Sequence, residues 1–429
     1  LAVTFTDKAA AELKERVHRT VTAKLPGIVG LAEMYIGTMH GFCLDLLQTY
    51  IPETFKYGVL TDITQQLLID RETNKSGFNT AVKTVQGVES SLSRVFKGAL
   101  SILQEDAVDF GLVPPETTAS LAKYKDFLAD KRYFDYTSMM VEAVGFLERS
   151  QTATILDTAE QSLRDHVEND VKYVIVDEYQ DVNPIQERLV ARLVHFGANL
   201  CVVGDDDQTI YQWRGSDVQN ILTFDDRYAS VRAIRLEENF RSSKGIVELG
   251  RSVAERLDSV ERLPKKMIAA GHQTWERGDM LTLQFENPSE EAQWIVERIV
   301  ELQGMPFTDR PGSEPRGLSW SDCAVLFRSV KDADDLVDEL KRRDIPFIVK
   351  GLARLFDAIE IQACVGLFRS LLGEITATDL RDLWDAARLI PDSSKWAAVL
   401  RALDDGADFS ASTRWGVYNI QRLFLRVLE

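Results

Sequence analysis

The sequence predicts an α/β protein built on parallel sheets in more than one lobe. Three observations point there. The run Tyr173-Val174-Ile175-Val176 is apolar without alternation, the pattern of a strand covered on both faces. A helical stretch and a second unbroken apolar run, Leu200–Val203, follow it, which is the order of a parallel sheet with crossovers. Further strand and helix signals after residue 236 predict that the arrangement recurs. A chain of 429 residues has room for roughly three domains at about 150 residues each.

Residues 1–50 read as strand, helix, strand, helix. The strand is Leu1–Phe5. Asp7 is the expected cap of the helix, in which Ala10, Leu13, Val17 and Val21 recur at helical spacing. Residues 60–170 are helical in pattern, with a polar break near Asn74–Gly77. After Tyr173–Val176, Asn183-Pro184 starts a helix with Pro at its first position and Gln186 placed to complete a capping box. Ile185, Leu189 and Leu193 form its buried stripe. In the second α/β unit the strands are Leu281–Phe285, Ala324–Phe327 and Pro346–Val349. Its helices fall at about 289–302 and 332–343, with a loop at Met305–Gly317. Residues 373–429 are helical again.

Composition excludes several classes. No apolar run reaches the roughly 18 residues of a membrane span, and no signal peptide opens the chain. Cys43, Cys201, Cys323 and Cys364 are far apart among apolar neighbours, with no CxxC pair. They are expected to be buried reduced thiols of a cytoplasmic protein. The net charge of −17 argues against a simple nucleic-acid coating protein, but not against a motor that grips a strand in a narrow groove.

Two segments carry chemistry. The strand Tyr173–Val176 ends in Asp177-Glu178, then Tyr179-Gln180-Asp181. Adjacent carboxylates at a strand end are how phosphate-cleaving motors hold Mg2+ and activate water, with Asp177 for the metal and Glu178 for the water. The second segment is Val202–Gly215. Gln208 has an amide suited to a terminal phosphate. Tyr211 and Trp213, three and five residues on, offer flat faces for bases, and Arg214 can contact a phosphate or stack. Asp205, Asp206 and Asp207 are expected to form a solvated loop.

These segments resemble the motifs of superfamily 1 helicases of the UvrD/Rep type. Thr4–Ala10 resembles TFTNKAA, and Ile36–Phe42 contains a segment like GTFHSF. Asp177–Asp181 resembles the family's Walker B motif, and Gly204–Gly215 resembles GDDDQSIYxWRG. Leu236–Ser243 resembles LExNYRS. Ala324–Ser329 and Ile345–Ile361 resemble two later motifs. The resemblance implies tandem RecA-like P-loop NTPase lobes with parallel sheets, facing each other across an ATP cleft, plus helical insertion subdomains. It places the first lobe at residues 1–69 and 171–235, with an insertion at 70–170. The second lobe falls at 236–372, with the start of its insertion at 373–429.

The family also implies ATP and Mg2+ as cofactors, and single-stranded DNA and single-strand/duplex junctions as partners. It implies 3′-to-5′ movement and work in repair or recombination. Gln208 and Arg241 would sense the γ-phosphate, and Phe240 would pack on the adenine. Phe5, Thr38, His40, Tyr211, Trp213 and Arg214 would face the strand. For His40 a capping or core role stays open, and for Phe5 core packing does.

The departures are Asp7 for Asn, Met39 for Phe and Phe240 for Tyr, with Leu352 and Ala358 replacing a Gly and an Arg of the last motif. The chain contains no GxxxxGK[ST] loop, nor the family's C-terminal motifs, so a fragment is expected that does not turn over ATP alone. A helicase–nuclease, an anti-phage defence ATPase and a non-catalytic DNA-binding remnant are the alternatives.

Overall fold

The architecture comes from a computed structural model that describes residues 1–25, 27, 34–81, 89–105, 108–153, 155–210, 215–257, 262–350, 359–371 and 373–387. By internal contacts the chain divides into two compact units, Leu1–Arg277 and Gly278–Glu429.

The first unit opens with β1 (Ala2–Thr4), α1 (Asp7–Lys24), β2 (Ile36–Thr38) and α2 (Met39–Tyr50), as the sequence predicts. The cap of α1 sits one residue earlier than expected. The Thr6 hydroxyl accepts from Ala9 N at 3.1 Å, and Asp7 becomes the first helical residue, where its charge suits the helix N-terminus. Ala10 is buried, and Leu13, Val17 and Val21 form a half-buried stripe.

A helical run follows: β3 (Gly58–Val59), α3 (Asp62–Arg71), α4 (Phe78–Ala81), α5 (Glu89–Gln104), α6 (Pro115–Lys131), β4 (Tyr133–Phe134), α7 (Tyr136–Thr152) and α8 (Thr158–Asn169). The expected break at Asn74–Gly77 is a turn. Gly77 has φ +78°, and a Cβ there would lie 2.5 Å from Ser120 O. Tyr124, Leu121 and Ile69 centre one hydrophobic cluster of this run. A buried carboxylate fixes its edge. Asp135 Oδ2 accepts from Tyr124 OH at 2.8 Å and Gln65 Nε2 at 2.9 Å.

The sheet is completed by β5 (Tyr173–Val176), α9 (Pro184–His195) and β6 (Asn199–Val202). The strand order is β2-β1-β5-β6 and every pairing is parallel, with Val3 opposite Val176 and Val176 opposite Val202. The start of α9 is the predicted capping box. Asn183 N donates to Gln186 Oε1, and Gln186 N to Asn183 Oδ1, each at 3.0 Å. Ile185, Leu189 and Leu193 are buried as expected and join one core with Val3, Val174, Val176 and the inner faces of α2 and α7. Each such side chain contributes roughly 1.5–3 kcal/mol relative to exposure.

The expectation that Tyr173–Val176 is covered on both faces is corrected. Val174 and Val176 are buried, whereas Tyr173 is 67% and Ile175 45% exposed. Helices α2, α7 and α9 cover one face of this strand, and its other face is open among the described residues. The remainder of the unit contains α10 (Gln219–Leu222), α11 (Phe224–Arg227), β7 (Glu238–Asn239), α12 (Lys244–Ala254) and β8 (Ile268–Ala269), with β7 and β8 paired in parallel.

The second unit holds α13 (Pro288–Leu302), β9 (Pro306–Phe307), β10 (Arg316–Gly317), α14 (Asp334–Arg342), α15 (Ile359–Leu371) and α16 (Ala377–Ala386). Both predicted helices are present, and Ala292 and Val296 of α13 pack against Leu336 and Leu340 of α14. Its strands are not. Leu281–Phe285, Ala324–Phe327 and Pro346–Val349 form no ladder among the described residues, and Leu326 and Ile348 are 93% and 90% exposed. An apolar run states a demand for cover, but a strand also needs a partner's N–H and C=O groups. The expected loop Met305–Gly317 instead carries the antiparallel pair β9–β10, pinned by Arg316, which bridges Asp309 and Asp322 at 2.7 Å each. Residues 351–358 and 388–429, with Leu352 and Ala358 of the last motif, lie outside the described residues.

The cysteines also depart from expectation. Cys43 is buried, Cys323 and Cys364 are partly buried, and Cys201 is exposed on the open side of β6. Among the described residues no helix is long and apolar enough to cross a membrane.

Candidate functional site

Parallel strands place their C-terminal ends at one edge of the sheet, where α/β proteins bind ligands. Here that edge carries Thr4 ending β1, Thr38 ending β2, Asp177 after β5 and Gly204-Asp205 after β6. A concavity at this edge is lined by Thr4, Phe5, His40, Asp177 and Glu178, backed by Met39, Val182 and Gln186. The structure therefore brings four predicted site residues together: Phe5, His40, Asp177 and Glu178.

Asp177 is fixed from both sides. Its N–H donates to Val3 O at 2.9 Å, and its Oδ1 accepts from Glu178 N at 3.1 Å. Glu178 is exposed and sits in the left-handed region, φ 52° and ψ 46°. That conformation costs a non-glycine residue about 1 kcal/mol or more and concentrates at working sites. The turn that follows is held by Tyr179. This fully buried ring directs its hydroxyl to Glu187, which also pairs with Arg227 and accepts from Tyr228 OH at 2.7 Å.

Thr4 adds an oxygen that sequence reading passed over. It is buried beside Asp177, and its Oγ1 has no hydrogen-bond partner among the described residues. Thr38 caps α2, accepting from Gly41 N at 3.2 Å, so the capping alternative for His40 is taken by its neighbour. His40 is half-buried and its ring meets Tyr136 edge-on at 5.4 Å. Burial holds its imidazole below the ordinary value, partly offset by the charge of Asp7.

The loop after β6 overturns the expectation of a solvated acidic stretch. Asp206 is buried. Asp207 makes a two-pronged ion pair with Arg262 at 2.7 and 3.0 Å. Asp206 Oδ2 accepts from Leu263 N at 2.8 Å. Lys265 bonds to Asp205, Asp206 and Asp207 together, the last at 3.1 Å. Burial alone would lower the Lys265 ammonium, but hydrogen bonds to Asp205 and Asp206 outweigh it and hold it above its ordinary value. Burial would likewise raise the Asp207 carboxyl, but Arg262 and Lys265 hold it below. No local pattern shows this, because the partners lie 55 to 60 residues away in sequence.

Gln208 is exposed, and its Nε2 donates to Asp205 Oδ2 at 2.7 Å. Gln180, within the acidic motif but assigned no role from sequence, is 1% exposed. Its Nε2 donates to Glu178 Oε2 at 2.7 Å, and its Oε1 accepts from Asp205 N at 3.0 Å. Gly204 permits that approach, since a Cβ there would lie 2.7 Å from Gln180 Oε1.

Phe240 and Arg241 stand on a turn before α12, in which Asn239 Oδ1 accepts from Arg241 N at 3.0 Å and Ser242 N at 2.8 Å. Both side chains are exposed. Arg241 makes no side-chain hydrogen bond or ion pair to Glu178 or Gln208 among the described residues. Tyr211, Trp213 and Arg214 lie outside the described residues.

Comparison with known proteins identifies the family. The UvrD/REP helicase N-terminal domain matches residues 1–229, and the UvrD-like helicase C-terminal domain matches residues 234–381. The ATP-dependent DNA helicase PcrA of Staphylococcus epidermidis is 30% identical over 384 residues, covering 86% of this chain and 47% of the relative. The PcrA of Staphylococcus aureus is 29% identical over 375 residues, with the same coverage of 86% and 47%. The chain spans about half the length of the curated relatives it matches. With both domains matched in order over most of its length, the chain belongs to the UvrD/REP family of helicases.

Proposed function

We propose that the chain is motor sequence of an ATP-dependent DNA helicase that moves 3′-to-5′ on single-stranded DNA, opens duplex at single-strand/duplex junctions and serves repair or recombination in the cytoplasm. One observation carries this reading. Asp177 and Glu178 follow the end of β5 in a parallel sheet, and Glu178 is joined through Gln180 and Asp205 to Gln208. The PcrA relatives, named ATP-dependent DNA helicases, support ATP-driven action on DNA; the direction, the junction and the role in repair or recombination follow from the motif resemblance alone. On this reading the first motor lobe covers residues 1–69 and 171–235 with its insertion at 70–170, and the second begins at 236.

The residues at the sheet edge suit a hydrated Mg2+. Asp177 offers a carboxylate that accepts one backbone hydrogen bond, and beside it lies the unpartnered hydroxyl of Thr4. Among the described residues no cluster of three or more His, Cys, Asp or Glu forms a protein-only metal cage. An oxygen donor set of this kind leaves most positions to water and phosphate, as Mg2+ prefers. Bound there, Mg2+ would neutralise charge on the phosphates of ATP.

Glu178 orients the attacking water and takes its proton. The Gln208 amide donates to the terminal phosphate. Arg241 contributes a positive charge that grows in value as charge builds on the transferred group. Phe240, 65% exposed, presents its ring to the adenine. Phe5, Thr38, His40, Tyr211, Trp213 and Arg214 contact the strand, the aromatic rings by stacking on bases.

The test is strand displacement by the intact protein with ATP and Mg2+, comparing duplexes with 3′ and 5′ single-stranded tails. Displacement from the 3′-tailed duplex alone is expected. Equal displacement from both contradicts the direction, and none from either contradicts the helicase reading.

A further inference from the structure

We propose that Gln180 is a positioning residue that locks Glu178 to the loop bearing Gln208, so that one amide sets the geometry of the hydrolytic carboxylate relative to the phosphate-sensing side chain. The inference rests on the hydrolase reading above, in which Gln180 is only a link in the chain of hydrogen bonds, and gives that residue a role of its own.

The chemistry of the two partners fixes the amide. Asp205 N–H can only donate and the Glu178 carboxylate can only accept. Gln180 therefore has to turn Oε1 to the first and Nε2 to the second, as found at 3.0 and 2.7 Å. At 1% exposure the Gln180 amide is out of reach of solvent, so losing either bond leaves one of its own polar atoms buried and unpaired. The connection continues, since Asp205 Oδ2 accepts from Gln208 Nε2 at 2.7 Å. The Gln208 amide gives one hydrogen to Asp205 and keeps a second for a phosphate oxygen, so a phosphate that draws the amide toward it changes the bond to Asp205. Asp205 stays tied to Lys265, so the change is carried by the loop backbone, and the Asp205 N–H is held by Gln180. Glu178, in its left-handed conformation, is the group at the far end. Gly204 serves the same contact, because a side chain there would meet Gln180 Oε1 and, at 2.9 Å, Ile221 Cδ1.

Two substitutions separate positioning from scaffolding. Gln180→Glu keeps an acceptor for Asp205 N–H but turns an oxygen toward Glu178. Gln180→Met removes both bonds at similar volume. The experiment measures ATPase of the intact protein with a single-stranded oligonucleotide, hydrogen exchange across residues 204–208, and thermal melting.

For both variants kcat is expected to fall at least tenfold, with the KM for ATP within about twofold. Exchange at Asp205 rises in Gln180→Met and stays near wild type in Gln180→Glu, which loses rate all the same. Combined with Gln208→Ala, the loss in Gln180→Glu is expected to be at least threefold smaller than the product of the single losses, because the two residues act through one connection. A wild-type kcat in Gln180→Glu, a loss confined to KM or melting temperature, or multiplicative losses in the double variant overturns the inference while the hydrolase reading stands. An inactive wild type overturns both.

Discussion

The two units contain apolar runs that look alike in sequence and differ in structure. Tyr173–Val176 and Leu200–Val203 pair in parallel within a sheet, with Val174 and Val176 buried. Ala324–Phe327 and Pro346–Val349 of the second unit pair with nothing among the described residues and expose Leu326 and Ile348 almost fully. The difference teaches that an apolar run encodes a need for cover, whereas pairing depends on a neighbour strand brought from far along the chain. In the first unit one neighbour is β1, at the start of the unit and far from β5 in sequence, which hydrogen-bonds β5 through Leu1 O and Val3 O at 2.9 Å each.

That comparison can be broken or sharpened by substitution. The largest expected effect is on Leu189, 2% exposed in the core beneath the first sheet. Leu189→Ala should cost about 2–5 kcal/mol in urea denaturation of the first unit's transition. A loss below 1 kcal/mol would mean that this core is not packed as described.

Next is the acidic loop, where long-range ion pairs rather than strands join residues 205–207 to 262–265. Lys265→Met leaves Asp205, Asp206 and Asp207 crowded together and should cost about 1–3 kcal/mol at pH 7. The pH dependence has a definite sign. The Asp207 carboxyl is held below its ordinary value of 3.8, so its contribution to stability is present above that value. It is lost as pH falls through the depressed folded value. Denaturation at pH 7 and near pH 3 should show the Lys265→Met deficit shrinking at the lower pH; a growing deficit contradicts the assignment.

A comparable effect is expected on DNA binding. Trp213→Ala should weaken binding of a fluorescent single-stranded oligonucleotide by about 1–3 kcal/mol, the worth of one stacked base. Unchanged binding would remove Trp213 from the strand contacts. The smallest effect belongs to the other side of the comparison. Ile348→Ala, at a residue 90% exposed, should change stability by less than about 0.5 kcal/mol. A core-sized loss there would show that the run is covered in solution.

What was legible in the sequence follows the range of the interactions concerned. The α9 cap was readable because Asn183 and Gln186 are three residues apart and need nothing else. The stripe Ile185, Leu189 and Leu193 was readable for the same reason. The cap of α1 was missed by one residue because Thr6 and Asp7 are both good caps, and only the backbone decides between them. The acidic and glutamine motifs announced Asp177, Glu178 and Gln208 by their order along the chain. Their order did not show what Asp205–Asp207 hold, since Arg262 and Lys265 have no local relation to them. Gln180 stood inside a recognised motif, yet its role depends on Asp205 N, 25 residues on, and on a glycine that lets the two approach.

The central claim is that the carboxylates at the edge of the first sheet hydrolyse ATP when the protein holds a single strand. The most direct measurement is steady-state ATPase of the intact protein with Mg2+, with and without a single-stranded oligonucleotide, for wild type and Glu178→Gln. The account predicts DNA-stimulated turnover in the wild type and a fall of roughly 10²–10⁴-fold in kcat for Glu178→Gln, the range for loss of a general base. An unstimulated or absent wild-type activity, or a variant that turns over at the wild-type rate, would contradict it.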